Sequence, residues 1–184
     1  MTKIGRTKSG SGIINGWSLF FLSLIISACV LTSAVQANAE TRKWKINNHI
    51  TKMQAMPIPD SPGRVIGFFE RQGEVTYEDG ETAKQTIRCT FDMVRGAGPY
   101  QGYSQIAFKD GASLLIRIEG VMIPQKGGKL PISKGKGKYI FGTGRYKGIQ
   151  GNVNFKATML KPFAGESKGD ALVEATGTYT LPGK

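Results

Sequence analysis

The sequence contains little of the material from which catalytic and metal sites are usually built. Its 184 residues include two cysteines, Cys29 and Cys89, and one histidine, His49. A structural zinc site takes four nitrogen or sulfur ligands, and a serine triad needs a histidine with an acidic partner. The sequence supplies neither set, so we predict no metal site. His49, within INNHIT, is predicted to lie on the surface of a strand.

Nucleotide-binding motifs are missing as well, although the chain has 25 glycines. Gly142 and Gly144 lack a third glycine three residues later, where Lys147 stands, and no Gly-Lys-Ser/Thr sequence follows. The Gly-x-Ser-x-Gly elbow of hydrolases does not occur either. We therefore predict no cofactor and leave open whether the protein is an enzyme.

Acidic residues are absent from the first 39 residues, which have the organisation of a secretory signal peptide. Basic residues come first, an apolar run follows over 13–35, and a small-x-small cleavage site ends at Ala39. We predict a signal peptide over 1–39 and a single mature domain over 40–184. The mature protein would be exported, to the periplasm or the outside of the cell.

Two other outcomes for this leader stay open. The apolar run is long enough to span a bilayer if it is not cleaved. Alternatively, Ile26 to Cys29 fits a bacterial lipobox, in which the cysteine becomes lipidated, although apolar residues continue beyond Cys29. Cleavage after Ala39 would leave Cys89 as the only cysteine of the mature chain and exclude an internal disulfide. The apolar residues two positions to either side of Cys89 predict a small buried side chain.

Basic residues outnumber acidic ones by 25 to 13, which gives a formal net charge of +12. Part of this excess lies in a glycine-rich connection predicted over 124–136 and just beyond it. The clustered lysines are Lys126, Lys129, Lys134, Lys136 and Lys138. They indicate either a solvated loop or a contact with an anionic envelope surface such as lipid head groups. No nucleic acid partner is expected, because export removes the usual partner and no stacking platform is evident beside the lysines.

The mature chain has no persuasive helical period, and its apolar residues alternate with polar ones in eight stretches separated by turn signals. The predicted strands are Trp44–Met53, Arg64–Tyr77, Thr82–Val94, Tyr100–Phe108, Ala112–Ile123, Gly137–Thr143, Gln150–Lys161 and Asp170–Leu181. An open sheet of eight strands would expose two edges, whereas a closed one exposes none. The sequence therefore predicts an all-β fold, an eight-stranded antiparallel β-barrel with room for one ligand. A sandwich of two sheets is the alternative.

The alternation also assigns the two faces of each strand. In the simpler interpretation, the apolar face lines the interior and the polar face meets solvent. In the second, one sector is reversed and its paired opposite charges line a polar cavity. The candidates for that polar cavity are Arg88, Asp92, Arg117 and Glu119. The candidates for an aromatic rim at a cavity mouth are Tyr100, Tyr103 and Tyr146.

The densest glycine run, FGTGRYKGIQG over 141–151, lies between two predicted strands. Its four glycines are Gly142, Gly144, Gly148 and Gly151. Glycine adopts positive φ at little cost and lets backbones approach closely. The run therefore predicts a tight turn or bulge at the place where a strongly bent sheet closes.

This run also carries a family resemblance. GTGRYKGIQGNVNF resembles the GTGxFxGxxG stretch of the dirigent and allene oxide cyclase superfamily, and FKDGASLLIRIEG and GDALVEATGTYTLP are similar to segments of exported bacterial relatives of unassigned function. The resemblance covers roughly Tyr100 to Pro182. It implies an eight-stranded antiparallel barrel, often a homotrimer, with a hydrophobic cavity for small apolar or aromatic ligands. No catalytic or cavity residue of either plant family is carried over to this chain.

Three hypotheses for the function follow. The first is an exported barrel that binds a small apolar or aromatic molecule in its cavity. The second is a cofactor-free cyclase or isomerase of the allene oxide cyclase type, or a dirigent-like protein that steers a reactive ligand by holding it in one conformation. A buried acid or arginine in an apolar cavity would favour it, with Arg117 and Glu119 as the first candidates. The third is an envelope-interaction protein that works through its basic surface.

Overall fold

The computed structural model describes residues 38–161 and 169–182. The predicted signal peptide over 1–39, with the lipobox cysteine Cys29, lies almost entirely outside the described residues. The predicted turn over 162–169 lies outside them too, except for its last residue. The limits of the predicted domains therefore stay predictions. None of the helical segments in the described part of the chain has the length and hydropathy needed to cross a bilayer.

The described residues form eight consecutive antiparallel strands that close into a barrel, in the order β1 to β8. The strands are β1 (Glu40–Pro57), β2 (Arg64–Tyr77), β3 (Thr82–Val94), β4 (Gly98–Phe108), β5 (Ser113–Ile123), β6 (Ile132–Gly142), β7 (Gln150–Met159) and β8 (Ala171–Thr180). Each strand pairs with its neighbours in the chain, and β1 closes the barrel by pairing with β8 from Glu40↔Tyr179 to Asn48↔Ala171. The predicted barrel is confirmed, and the sandwich alternative is wrong.

The bounds of β2 and β3 are those predicted, whereas β6 begins five residues earlier than expected, at Ile132. Lysine and glycine alternate over this stretch, and their weak strand propensity predicted a loop. In the structure the lysines point outward, while Gly135 and Gly137 lie beneath side chains of neighbouring strands. A Cβ atom at Gly135 would lie 2.3 Å from the ring of Phe155. The glycines therefore make room for interior side chains, and pairing with β5 and β7 holds the strand.

Strand alternation places the apolar face inside along most of the barrel, as the simpler interpretation predicted. A bulge in β1 between Ile50 and Lys52 shifts the alternation by one residue. Asn48 before the bulge and Met53 after it consequently both face the interior, although five positions separate them. Such a change of phase cannot be read from a period-two pattern.

Aromatic side chains close one end of the barrel, which we call the tyrosine end. Its rings contact one another at centroid distances of 5.0 to 6.3 Å and belong to Trp44, Tyr77, Phe108, Tyr139, Tyr146 and Tyr179. The glycine run leads into this cluster through a single 3-10 turn over Gly144–Tyr146. Both Tyr146 and Ile149 are buried there. The run thus forms a tight turn, as predicted, and the turn caps the barrel.

The four glycines of the run serve this turn in two ways. Gly144, Gly148 and Gly151 have positive φ, at 57°, 79° and 147°. Gly142 does not, but a Cβ atom there would lie 2.3 Å from the carbonyl oxygen of Tyr146. All four positions therefore require glycine, for its backbone conformation or for its missing side chain.

We predict that Gly151→Ala strongly destabilises the barrel. Its Cβ atom would lie 2.1 Å from the carbonyl oxygen of Thr178, at a φ that alanine rarely adopts. The expected loss in the free energy of unfolding is about 3 kcal/mol, measured by denaturant titration. Gly80→Ala is the control, since its φ is also positive but its Cβ atom would meet nothing within 4 Å; it should lose only about 1 kcal/mol. Equal losses for the two variants would contradict the clash.

Candidate ligand-binding cavity

The interior of the barrel contains a cavity of about 280 Å³. Aliphatic and aromatic side chains from β1 to β5, β7 and β8 form most of its lining, and β6 contributes Ser133. Several of the lining side chains on β7 and β8 are small, namely Ala157, Ala171, Val173 and Ala175, although Phe155 and Met159 of β7 line the cavity too. Close-packed interiors hold few voids larger than a water molecule, so a void of this size is a distinct feature of the barrel.

Methionines surround the part of the cavity that lies away from the tyrosine end, and we call this part the methionine end. Its lining includes Met53, Met93, Met122 and Met159. Met53 is 45% exposed, whereas Met122 and Met159 are buried. Unbranched, polarisable methionine side chains adapt to ligands of different shape, so this end suits an apolar guest.

At the tyrosine end, Arg42 makes charged and polar contacts that join several elements of the barrel. Its guanidinium lies 4.0 Å from the centre of the Tyr77 ring and donates hydrogen bonds to the hydroxyl of Tyr146 (2.8 Å) and to Asp79 (2.6 Å). It also bonds the carboxylate of Glu81 at 3.1 Å. Burial lowers the pKa of Arg42, but Tyr146, Glu81 and Asp79 more than offset this effect, so its pKa is raised. The arginine therefore stays charged and ties β1, the β2–β3 turn and the cap turn together.

Burial also raises the pKa of the tyrosines at this end, because a phenolate would lose its hydration there. The effect is present at Tyr77, Tyr139, Tyr146 and Tyr179. Each of these residues keeps its proton well above neutral pH. The tyrosine end is therefore filled by uncharged aromatic rings, which we call the plug, and the guanidinium of Arg42 lies over the ring of Tyr77.

A few polar side chains interrupt the apolar lining. Arg71 is buried and donates hydrogen bonds from Nη1 to Oδ1 of Asn48 (2.8 Å) and to the carbonyl oxygen of Gly169 (2.9 Å). Its Nη2 lies 3.6 Å from the sulfur of Met159. Burial lowers the pKa of Arg71 to about 10, so the side chain is still charged at neutral pH. The cavity thus has one cationic group in its wall.

A second polar group is a pair of hydroxyls from β4 and β6, the two strands that flank β5. The hydroxyl of Tyr100 lies 2.5 Å from Oγ of Ser133, and both side chains are buried. Burial raises the pKa of Tyr100 to about 12, although the hydrogen bond to Ser133 opposes the shift. The phenol is therefore neutral and can donate or accept a hydrogen bond toward a ligand.

Three buried polar atoms in the lining have no hydrogen-bond partner among residues 38–161 and 169–182. They are Nε1 of Trp44, Nδ2 of Asn48 and Oε1 of Gln85. The other amide atom of Gln85 is satisfied, since Nε2 donates to Oγ of Ser104 at 2.9 Å. Buried polar atoms are nearly always paired, so three unpaired ones in one cavity mark it as more than a packing defect.

Cys89 is buried in the interior, as predicted from its neighbours. Burial raises the pKa of its thiol to about 12, although the positive charge of Arg71 opposes the shift. The thiolate is the nucleophilic form of cysteine, so this side chain is unreactive near neutral pH.

The four charged residues proposed for a polar cavity lie on the outer surface instead. Arg88, Arg117 and Glu119 are exposed, Asp92 is half-buried, and none of them lines the interior cavity. They form ion pairs across the outer face, such as Arg88 with Glu70 (2.8 Å) and Lys136 with Glu119 (3.1 Å). Asp92 pairs with Arg64. The interpretation with a reversed sector is therefore wrong, because the alternation keeps its phase along β3 and β5.

The three candidate tyrosines are not brought together at one rim. Tyr100 lines the cavity, Tyr146 is buried in the plug at the tyrosine end, and Tyr103 is 50% exposed on the outer face. Tyr103 borders a shallow outer groove together with Arg88 and Arg117. Only Tyr100 thus reaches the cavity.

The polar residues that do line the cavity were missed by the sequence analysis. They are Asn48, Arg71, Gln85, Ser104 and Ser133. A polar side chain on a strand was assigned to the solvent face by default, and FFERQG in β2 has large apolar residues in both phases. Counting back from Val75 and Tyr77 gives the correct phase, and it places Arg71 inside.

The described residues contain no cluster of three or more histidine, cysteine, aspartate or glutamate side chains that could hold a metal ion. The polar groups of the cavity are amides, hydroxyls, one indole N–H and one guanidinium, and they suit hydrogen bonding to an organic ligand.

No model of a known protein family matches the chain, and no curated protein matches it in sequence. Among solved structures, a pterocarpan synthase dirigent protein is similar over 95% of this chain and 98% of its own, at 14% identity and a TM-score of 0.44. A second pterocarpan synthase dirigent protein is similar over 79% of this chain and 97% of its own, at 14% identity and a TM-score of 0.47.

A conserved protein of unknown function from Rhodopseudomonas palustris is also similar, over 77% of this chain and 97% of its own, at 12% identity and a TM-score of 0.49. These are likenesses of fold, and nothing about what this chain binds follows from them. The predicted eight-stranded antiparallel barrel is confirmed by the strand order itself. The predicted homotrimer stays a prediction.

We predict that the barrel loses stability above pH 10. Unfolded tyrosines ionise near pH 10, whereas burial raises the pKa of the tyrosines in the plug, so the unfolded state binds fewer protons there. Stability is unaffected below that pH, and each such tyrosine lowers the free energy of unfolding by up to about 1.4 kcal/mol per pH unit above it. Denaturant titrations at pH 9 and pH 11 measure the loss.

The variant Tyr77→Phe is the matched control, because it keeps the ring contacts with Trp44 and Phe108 but has no phenol to ionise. Its free energy of unfolding should fall less steeply with pH. A variant that follows the same slope as the natural sequence would contradict the assignment.

Proposed function

We propose that this protein binds a small, predominantly apolar molecule inside its barrel. The observation that supports the proposal is the interior cavity of about 280 Å³ with its mostly apolar lining. An engineered apolar cavity of about 150 Å³ is enough to admit benzene, so this one suits a molecule of two fused rings or a short acyl chain. Export of the mature chain, also a proposal, would place this binding outside the cytoplasm.

The cavity exists because several inward side chains are small, and not because a strand of the barrel is missing. Ala157, Ala171 and Ala175 face the interior of β7 and β8, where larger residues would fill the space. The tyrosine end is packed solid with rings, and the adaptable methionines lie at the other end. This asymmetry favours entry of a ligand from the methionine end.

A second candidate function is catalysis without a cofactor, as a cyclase, an isomerase or a protein that steers a reactive ligand. The observation in its favour is Arg71, a buried arginine in a predominantly apolar cavity. Arg117 and Glu119 were expected in that role but lie outside. A charge fixed in a low-dielectric cavity stabilises developing negative charge more strongly than it would in water. Turnover of a bound ligand, lost in Arg71→Met while binding persists, would support this function.

A third candidate is contact with an anionic surface through the outer faces of β5, β6 and β7, which we call the basic face. Two pairs of like charges lie directly opposite each other on it, Arg117 with Lys138 and Lys134 with Lys156. Like charges in such positions destabilise a sheet. Lys126 and Lys129 are exposed in the preceding connection. An anionic partner would relieve this repulsion, and that favours a binding role.

We predict that filling the cavity abolishes binding. Ala157→Leu adds three carbons to an inward position on β7 and should weaken the binding of naphthalene at least tenfold, as followed by calorimetry. Thr158→Leu, the adjacent outward residue, is the control and should bind as the natural sequence does.

Thermal unfolding of both variants checks that they are folded. The proposal of an interior site is contradicted if naphthalene binds equally to both variants, or if the natural sequence binds neither naphthalene nor any other compound of this size.

We predict that the basic face binds anionic vesicles in a salt-sensitive way. Replacing Lys134, Lys138 and Lys156 by Gln should abolish binding to phosphatidylglycerol vesicles and raise the free energy of unfolding by a few tenths of a kcal/mol, since opposed like charges disappear. The control replaces the same number of exposed lysines elsewhere, at Lys43, Lys84 and Lys109. Equal loss of vesicle binding in the two triple variants would show that only net charge matters.

A further inference from the structure

Of the three unpaired polar atoms in the cavity, Nδ2 of Asn48 says most about the chemistry of the ligand. Asn48 is only 3% exposed, and its Oδ1 accepts a hydrogen bond from Arg71. A guanidinium only donates hydrogen bonds, so this contact fixes which atom of the amide is the oxygen. The unpaired atom is therefore an N–H donor, and an acceptor must meet it.

Gly73 is the neighbour of Asn48 on β2. In the sheet, Asn48 pairs with Gly73, and Gly73 pairs with Gln85 on the next strand. With strands about 4.8 Å apart, the Cα atoms of Asn48 and Gln85 are roughly 10 Å apart. A Cβ atom at Gly73 would lie 2.3 Å from the carbonyl oxygen of Asn47 and 2.7 Å from Cβ of Asn48, so β1 packs closely over the glycine. Because Gly73 has no side chain, β2 places none between the two buried amides.

Gln85 has an adaptable amide on the other side of Gly73. It is 6% exposed, and its Nε2 donates to the hydroxyl of Ser104, which leaves Oε1 unpaired. A serine hydroxyl also donates, so the reversed amide would accept from Ser104 and present its N–H₂ group instead. Gln85 can therefore accept a hydrogen bond from a ligand or donate one to it.

We propose that Asn48 and Gln85, which lie on either side of Gly73, form a subsite for one oxygen atom of the bound molecule, so that the ligand is an oxygenated apolar compound rather than a hydrocarbon. The inference rests on the proposed function, which places a ligand in this cavity. A carbonyl oxygen accepts hydrogen bonds from both amides. A hydroxyl accepts one from Asn48 and donates one to Gln85. The apolar remainder of the ligand extends along the small side chains of β7 and β8.

The third unpaired atom, Nε1 of Trp44, lies outside this subsite, nearer the tyrosine end. Trp44 and Asn48 both face inward on β1, four residues apart, which corresponds to roughly 13 Å along the strand. A single oxygen atom cannot reach both donors. The subsite at Asn48 is therefore the polar end of the ligand position, and Trp44 lies beside its far end.

The experiment compares three probes of the same shape, naphthalene, 2-naphthaldehyde and 2-naphthol, by calorimetry on the full chain. The readout is the ratio of the dissociation constant of each oxygenated probe to that of naphthalene, because a ratio cancels changes that affect all three. Asn48→Asp keeps the acceptor for Arg71 but removes the N–H donor. We expect its ratio for the aldehyde to rise roughly two- to tenfold, the worth of one hydrogen bond, and its ratio for the naphthol to change less.

Two controls match the variants. Asn47→Asp makes the same change on the outer face of β1, and Gln105→Met is the outer counterpart of Gln85→Met, which should raise the ratios for both oxygenated probes. Ratios that stay constant in Asn48→Asp and Gln85→Met, with naphthalene still bound, would overturn the subsite and leave the apolar cavity standing. Failure of the natural sequence to bind any of the three probes would overturn the proposed function as well.

Discussion

The pairing of β1 with β8 is the constraint on which the rest of this structure depends. It joins the first and last strands and converts a meander with two free edges into a closed wall. Once the wall is closed, each strand has an inside and an outside, and the number of strands sets the internal width. Eight strands leave an interior that side chains can just fill. Whether a cavity remains is then decided by the size of individual inward residues.

Glycines determine how the interior is filled in one part of the barrel, and alanines do so in another. Gly120 and Gly177 are positions where a neighbouring ring covers the backbone: Tyr100 lies over the first, and Tyr139 with Trp44 over the second. Aromatic side chains thereby use the space that the glycines leave. The alanines of β7 and β8 line the cavity instead, and their small side chains leave part of the interior unfilled. One barrel thus combines a solid aromatic end with a hollow middle.

The sequence was sufficient for the barrel and insufficient for its polar site. Period-two alternation is strong in β3 and β7, and it follows directly from burial of one face. It failed at β6, where the glycines that pack beneath Phe155 resemble loop residues when seen alone. It also missed Arg71 and Gln85, because their inward direction follows from strand pairing and from the phase of neighbouring apolar residues. The bulge after Ile50, which brings Met53 inside, has no period-two signal.

The pairing of β1 with β8 also determines when the barrel can close during folding. The paired residues Glu40 and Tyr179 are 139 positions apart in the sequence, so their contact must wait until nearly all of the barrel has been made. A ribosome must release the C-terminal strand before β1 can find it. Until then the edges of β1 and of the most recently made strand are free to pair with other chains. The nascent barrel is therefore most vulnerable to aggregation in the interval before its final strand arrives.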